Sequence, residues 1–328
     1  VVDERPIRWG FLGAGGIAEN VAQDIALTSG NVITAVAARD ADRAAEFATR
    51  HGIERSYGSY PELVKDAEVD VVYIATTHPG HHDQALMAIE AGKAVLIEKP
   101  VCLTAPDALE VYDAAAAAGV FAMEAMWMRT NPLILRAQQL IADGVIGEVR
   151  GLRHEFGIGL AYDPEHRLYD LDNGGGALLD LGIYPATFAY LFLGAPDTVI
   201  TSGELAPTGA DDTVTMEWLY AGVPRAQLWC SISTVAPNEA VVLGSDGWIT
   251  FGSPGFRPSK LTVHTHDQEY DLADPLAGQG HGYGPQILEV ARCLRAGLTE
   301  SPLVPAADSV AVLTLLDRAR AELGVIYG

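Results

Sequence analysis

Cysteine and lysine are scarce in this 328-residue sequence, and positive charge is in the minority. The three cysteines, Cys102, Cys230 and Cys293, lie far apart and form no C-x-x-C pair or disulfide framework. That usage fits a reducing compartment. Only Lys65, Lys93, Lys99 and Lys260 are present, so each needs a reason. Against 43 Asp+Glu stand 21 Lys+Arg, a net charge of −22 with histidine neutral. Sequence-independent nucleic-acid binding needs a basic face, so this balance argues against it, and equally against an anionic membrane surface. The N-terminal Val1-Val2-Asp3-Glu4-Arg5 has no basic-then-apolar leader pattern. The longest apolar stretch, Ile183 to Gly194, falls short of the roughly 20 residues that a bilayer span requires. Neither G-x-S-x-G nor a Walker A motif occurs, which removes the serine-hydrolase elbow and the P-loop. The expectation is a soluble, cytoplasmic protein that binds neither nucleic acid nor membrane.

What is there is an ordinary globular composition, 49% hydrophobic and 20% charged, at a length that suggests two domains. The first third alternates β-branched runs with helical patterns. Strands are expected at Ile7–Leu12, Val32–Ala38, Val69–Ala75, Ala94–Ile97 and Val120–Glu124. Helices are expected at Ile17–Leu27, Ala41–His51, His82–Ala91 and Pro106–Ala118. Such alternation means βαβ units and a parallel sheet. Beyond Trp127 and a helix near Pro132–Ala142 the texture changes to strand-like runs, among them Glu148–Phe156, Val199–Glu204, Thr213–Tyr220, Ala226–Ser233 and Glu239–Leu243. Helical patterns cover Ala177–Leu193, Gln286–Arg295 and Ala306–Leu323, and Pro185 should bend or shorten the first of them. The expected architecture is α/β, with a dinucleotide-binding domain over 1–127 and an α+β domain over 128–328. The second domain would carry an open, mainly antiparallel sheet and serve substrate binding and oligomerisation. An open sheet would expose apolar strands such as Thr213–Tyr220 and Ala226–Ser233 on its far face, which favours a homodimer or higher homo-oligomer.

The first expected strand runs into Gly13-Ala14-Gly15-Gly16-Ile17-Ala18, a G-x-G-x-x-A turn that opens a helix. Gly13 permits the tight turn, Gly15 lets a pyrophosphate approach the backbone, and the small Ala18 lets helix and strand pack closely. The helix N-terminus adds unpaired N–H groups and positive dipole, which lets an acidic protein hold an anion locally. The second strand ends at Ala38-Arg39-Asp40. An NAD-selective site wants a carboxylate at this strand end, but Ala38 stands there and Arg39 follows, able to fork two donors onto a 2′-phosphate. Asp40 reads as the N-cap of the next helix. The cofactor expected is therefore NADP, with NAD less favoured. The alternatives are that Arg39 is simply solvated and that Asp40 is the ribose acceptor.

Glu98-Lys99-Pro100 places a lysine at the carboxyl edge of the sheet, where open α/β sheets form their ligand crevice. Far along the chain, Gly174-Gly175-Gly176 introduces a helix on which Asp180 and Tyr184, four apart, share one face. With these features the chain resembles the Gfo/Idh/MocA family over essentially its full length. Within that family it looks closest to the dimeric dihydrodiol dehydrogenases, also known as NADP-dependent D-xylose 1-dehydrogenases. The matching stretches are Ala37 to Asp40, Tyr57 to Tyr60, Met123 to Trp127, Gly174 to Tyr184 and Asp211 to Thr213. The resemblance implies a Rossmann domain, a second domain on an open sheet, and hydride transfer with NADP. It implies that Lys99 is the catalytic lysine and Tyr184 the acid/base tyrosine, where much of the wider family has histidine. A free tyrosine, with a pKa of about 10, is a poor base at neutral pH, and a neighbouring ammonium would favour its phenolate. Either residue of the pair can move the proton, and Asp180 would orient them.

Thr76-Thr77-His78-Pro79-Gly80-His81 matches the family's loop along the ribose and nicotinamide, with His81 on its recurrent histidine. Glu98 and Lys99 join the cofactor contacts on the same resemblance. The histidines and Asp83 also raise a metal reading, but they show no metal-ligand spacing and hydride transfer needs none, so no metal is expected. His264 and His266 read as exposed residues on one strand face. Trp127, Phe156 and Tyr283 are candidate substrate walls, or core aromatics. The leading expectation is an oxidoreductase acting on a small polyol, aldose or trans-dihydrodiol. The alternatives are an NAD-dependent glycosidase with transient hydride transfer and a cofactor-binding regulator without catalysis. Retention of both Lys99 and Tyr184 argues against the regulator.

Overall fold

The computed structural model describes residues 5–327; the leader reading of Val1 to Glu4 lies outside them. In chain order the elements are β1 (Ile7–Leu12), α1 (Gly16–Leu27), β2 (Asn31–Ala37), α2 (Ala41–His51), β3 (Arg55–Tyr57), α3 (Tyr60–Val64), β4 (Val71–Ile74), α4 (His81–Glu90), β5 (Ala94–Ile97), α5 (Ala105–Ala118) and β6 (Ala122–Glu124). There follow α6 (Pro132–Ala142), β7 (Val149–Gly157), α7 (Ile183–Leu193), β8 (Thr198–Leu205), β9 (Asp211–Leu219), β10 (Arg225–Ser231), β11 (Ala240–Gly244), β12 (Gly247–Phe251), β13 (Lys260–Thr265), β14 (Glu269–Ala273), α8 (Gly284–Arg295) and α9 (Ala306–Leu323).

These elements form two compact units, residues 1–130 with 278–310, and residues 131–277 with 311–328. The expected division into contiguous stretches 1–127 and 128–328 is corrected here. The chain returns to the first unit at Gly278, and α8 packs against α1 there. Nothing local in the sequence marks such a return.

The first unit is a six-stranded sheet in the order β3-β2-β1-β4-β5-β6, parallel throughout. The strands β4 and β5 are buried along their whole length, which explains why they read as unbroken apolar runs. The order reverses beside β1, so the carboxyl ends of β1 and β4 flank the switch point where such sheets bind ligands. The short β3 and α3 were not expected, since neither is long enough to show a period.

The second unit is an eight-stranded sheet, β14-β13-β12-β11-β7-β10-β9-β8, antiparallel except for the β7–β10 pair. One face is covered by α7, whose first seven residues are all buried. Pro185 sits in the first turn of α7, and the segment before it, Leu178–Gly182, is a π-helical turn. A proline cannot donate to the preceding turn, so the helix from Ala177, which Pro185 was expected to bend or shorten, changes to a π turn just before it. With the short turn at Leu171–Asn173 and the glycines after it, the π turn and α7 belong to a 23-residue span, Leu171–Leu193, long and apolar enough by composition to cross a membrane, of which 78% of the most apolar window is buried inside the protein. The expected far-face apolar surface is also corrected. Val214, Met216, Trp218, Ala226, Leu228 and Cys230 are buried on the covered side, and the opposite face of β9 and β10 carries Thr215, Glu217 and Gln227 with the partly exposed Trp229. Period-2 alternation had put the apolar residues on the covered side.

Candidate functional site

In the first unit, Gly13 has φ +105°, and a Cβ there would lie 2.5 Å from the Ala75 carbonyl oxygen, so only glycine fits. A Cβ on Gly15 or Gly16 would meet nothing within 4 Å, which leaves open space in front of the α1 N-terminus. Gly15 is the N-cap and has no side chain to occupy the free N–H groups, while Ala18 is fully buried against the sheet. This cradle suits a pyrophosphate. Ala14 and Ile17 complete the turn and are partly exposed.

At the end of β2, Asp40 Oδ1 accepts from the Asp42 and Arg43 N–H groups, so it is the N-cap of α2. Arg39 is exposed. Arg43, not singled out from sequence, reaches back 3.3 Å to the Ala14 carbonyl in the Gly-rich turn. Both guanidiniums lie near Tyr60, where burial pushes the phenol up and the two cations oppose it.

Beyond β4, Thr76 donates to Gln84 and Thr77 is exposed, while His78 is buried. His81 is not a surface contact. It is fully buried, its Nδ1 lies 2.8 Å from the Pro100 carbonyl and its Nε2 3.2 Å from that of Thr76. A neutral imidazole donates once, and the shorter contact assigns that proton to Nδ1. Burial pulls its pKa down, which agrees with a neutral ring. His81 therefore ties the loop to the segment after Lys99. His82 faces Asp83 and Glu110.

Lys99 is partly exposed just beyond β5. Glu98 beside it is buried, accepts from the Tyr73 hydroxyl at 2.5 Å and from the Lys99 N–H at 3.2 Å, and is pushed by burial to about 7. Among the other lysines, Lys93 donates to the carbonyls of Asp66 and Val69, Lys260 pairs with Asp271, and Lys65 caps α3.

Trp127 and Tyr283 lie together, ring centroids 4.5 Å apart, although 156 residues separate them in sequence. Asp24 of α1 makes this possible. Its buried carboxylate accepts from the backbone N–H groups of His281 and Tyr283, both at 2.7 Å. No local signal marks Asp24, because its partners come from the far end of the chain.

In the second unit, Tyr184 stacks on Phe256 at 4.4 Å and meets Phe156 edge-on at 5.7 Å. Phe256 was not foreseen. Asp180 lies in the π turn and pairs with Arg167 at 3.1 Å. The start of that turn is fastened by Asp211, fully buried, which accepts the Leu178 N–H at 2.5 Å and packs against Gly176, a residue at φ +130° with no room for a Cβ. Burial pushes Asp211 up to about 7. Two residues before Phe156 on the same face, His154 is buried against the Phe188 ring with neither nitrogen hydrogen-bonded, and burial pulls it down to about 3. On the opposite face His264 stacks on Trp248, and His266 lies in the turn beyond β13 instead of on its face. Lys99, Trp127 and Tyr283 thus belong to one unit, and Asp180, Tyr184 and Phe156 to the other.

Residues 7–126 match the Gfo/Idh/MocA oxidoreductase family with its NAD-binding Rossmann fold, and residues 134–250 match that family's C-terminal domain. The chain belongs to the Gfo/Idh/MocA oxidoreductases. It is 39% identical over 331 positions to a trans-1,2-dihydrobenzene-1,2-diol dehydrogenase from Mus musculus, covering 98% of each chain. With the Homo sapiens enzyme of the same name the identity is 37%, again over 98% of each. Among solved structures, a 3-ketoreductase from Actinomadura kijaniata, in complex with NADP and TDP-benzene, matches with a TM-score of 0.85 and 27% identity, over 97% of this chain and 98% of that one. A levoglucosan dehydrogenase shares the fold at a TM-score of 0.85 and 21% identity, with 97% and 98% covered. This Gfo/Idh/MocA protein is accordingly an oxidoreductase with an NAD(P)-binding Rossmann domain.

Proposed function

We propose that the protein is an NADP-dependent dehydrogenase or reductase acting at the carbinol or carbonyl carbon of a small polyol, aldose or trans-dihydrodiol. The observation that carries this reading is a lysine just past β5, in a parallel sheet whose β1–α1 turn is an open glycine cradle. The dihydrodiol dehydrogenases similar over the whole chain supply the substrate class. The Gly13–Ala18 turn and the α1 N-terminus hold the pyrophosphate, and Arg39 with Arg43 meets the 2′-phosphate. Thr76, Thr77 and His78 border the ribose. Bound nicotinamide supplies the hydride donor or acceptor. Lys99 and Tyr184 act as one acid/base unit on the substrate oxygen. The ammonium favours the phenolate when the alcohol is oxidised, and the pair protonates the oxygen when the carbonyl is reduced. Asp180, paired with Arg167, orients the pair, and Trp127, Phe156 and Tyr283 form walls.

A panel of aldoses, polyols, diketones and trans-dihydrodiols, assayed for absorbance change with NADP and with NAD, tests the reading. Net turnover of added NADP with one of these classes is expected. Tightly held NAD with no net turnover would point to glycosidase chemistry instead. Arg39→Ala should weaken NADP by about 1.5–3 kcal/mol and leave NAD unchanged, because a charge-assisted phosphate contact is lost; equal losses would make Arg39 structural. Self-association is the second part of the proposal. Its support is the outward-facing Trp248, 44% exposed, and Ile200, 50% exposed, rather than β9 and β10. Light scattering at micromolar concentration should give a dimer or larger, and a monomer would refute it.

A further inference from the structure

Lys99 stands two residues beyond the end of β5. Pro100 has no N–H, so Lys99 and Val101 offer the only backbone donors of this tripeptide. Both go to buried carboxyls. Glu98 accepts from Lys99, and Glu124 Oε1 accepts from Val101 at 3.1 Å. Glu124 is the last residue of β6, paired in register with Ile97 of β5, and is 3% exposed. Its second oxygen accepts the Ser309 hydroxyl at 2.7 Å, from α9, 185 residues away. Burial pushes the pKa of this carboxyl up, opposed by the Ser309 and Val101 hydrogen bonds and the charges of Arg129 and Lys99, so it is a costly group for stability alone. Its place explains it. Glu98 grips the near side of the Lys99–Val101 segment, His81 the Pro100 carbonyl, and Glu124 the far side, so a side chain that must reach a reacting atom starts from a backbone fixed at three points.

We propose that Glu124 is a positioning residue for Lys99: by holding the Val101 N–H from β6, it fixes the backbone from which the ammonium reaches the substrate oxygen. This rests on the acid/base reading of Lys99. Glu124 presents its oxygens to Val101 and Ser309 and also feels the charges of Lys99 and Arg129, so the glutamine variant, which keeps an acceptor for Val101 without the charge, separates placement from charge.

The test uses Glu124→Leu and Glu124→Gln in the full chain, each alone and with Lys99→Met, measuring kcat, KM and NADP affinity. Leucine fills the space but accepts nothing. It should lower kcat by about 10- to 100-fold while NADP affinity stays within about threefold. Glutamine keeps an oxygen for Val101 and a donor for Ser309, and should restore most of the lost turnover. With Lys99→Met, Glu124→Leu should cause no further loss. If Glu124→Leu does not fold, Ser309→Ala, which frees one oxygen of Glu124, should still lower kcat a few-fold without changing NADP affinity; unchanged kcat would overturn the proposal. It is also overturned by wild-type turnover in Glu124→Leu beside an inactive Lys99→Met, by glutamine as damaging as leucine, or by an equal loss in both backgrounds. Full turnover in Lys99→Met would instead overturn the acid/base reading itself, and the positioning role with it.

Discussion

The region around Lys99 in the first unit and the region around Tyr184 in the second are held by different means. Around Lys99 hydrogen bonds to backbone groups are prominent: Glu98 and Glu124 take backbone N–H groups, His81 approaches a carbonyl, and Asp24 ties down the Tyr283 loop. Around Tyr184 ring packing is prominent, a stack of Phe156, Tyr184 and Phe256, with His154 against Phe188 on the same sheet face, while Asp211 fastens the turn before it through the Leu178 N–H. Hydrogen bonds fix a backbone at defined atoms, whereas ring packing fixes a side chain by exclusion. The difference teaches that the lysine is placed by its main chain and the tyrosine by its neighbours' shape. It also means the two regions should fail under different insults.

Acid should strike the apolar region hardest. His154 is held down to about 3 by burial, so the unfolded chain, with an ordinary histidine pKa near 6.5, takes up its proton first as pH falls. Stability from this group is complete above the unfolded pKa and declines below it, by up to about 1.4 kcal/mol per pH unit until the folded pKa is reached. His154→Leu should flatten the acid limb of stability measured by denaturant titration. An unchanged slope would mean that the ring finds a partner when protonated.

A smaller effect is expected from crowding the polar region's backbone. Gly13→Ala forces a Cβ against the Ala75 carbonyl at φ +105°. It should cost about 1–3 kcal/mol and weaken NADP in the same variant. An unchanged melting temperature would show that the turn relaxes at no cost. The smallest effect belongs to Asp24→Asn, which keeps one acceptor and loses the other. It should cost about 1 kcal/mol and raise the substrate KM through Tyr283 while sparing kcat. A loss confined to kcat would remove Tyr283 from the substrate wall.

The same contrast explains what the sequence made legible. The Gly13–Ala18 turn, the limits of β1 and β5 and the Asp40 cap follow from local rules about glycine, β-branched runs and helix ends, and they appear where expected. Asp24, Glu124 and His154 gave no warning, since what defines them is a partner, or the want of one, supplied by distant chain. His81 was noticed as a chemical residue and proved to be an internal tie, because sequence shows the imidazole and not its burial. The return of residues 278–310 to the first unit is likewise a product of topology, whereas the side on which β9 and β10 bury their apolar residues follows their local period-2 alternation.

The central claim is that one lysine and one tyrosine, held in these two different ways, work as a single acid/base unit. The most direct measurement is steady-state turnover of Tyr184→Phe with NADP binding measured on the same preparation. The ring keeps its stack on Phe256 and loses only the transferable proton. Turnover should fall by about 10²–10⁴-fold with NADP affinity unchanged, and adding Lys99→Met should make it little worse than the poorer single variant. Near-normal turnover in Tyr184→Phe would contradict the account: the tyrosine would then be a wall of the pocket, with Lys99 moving the proton alone.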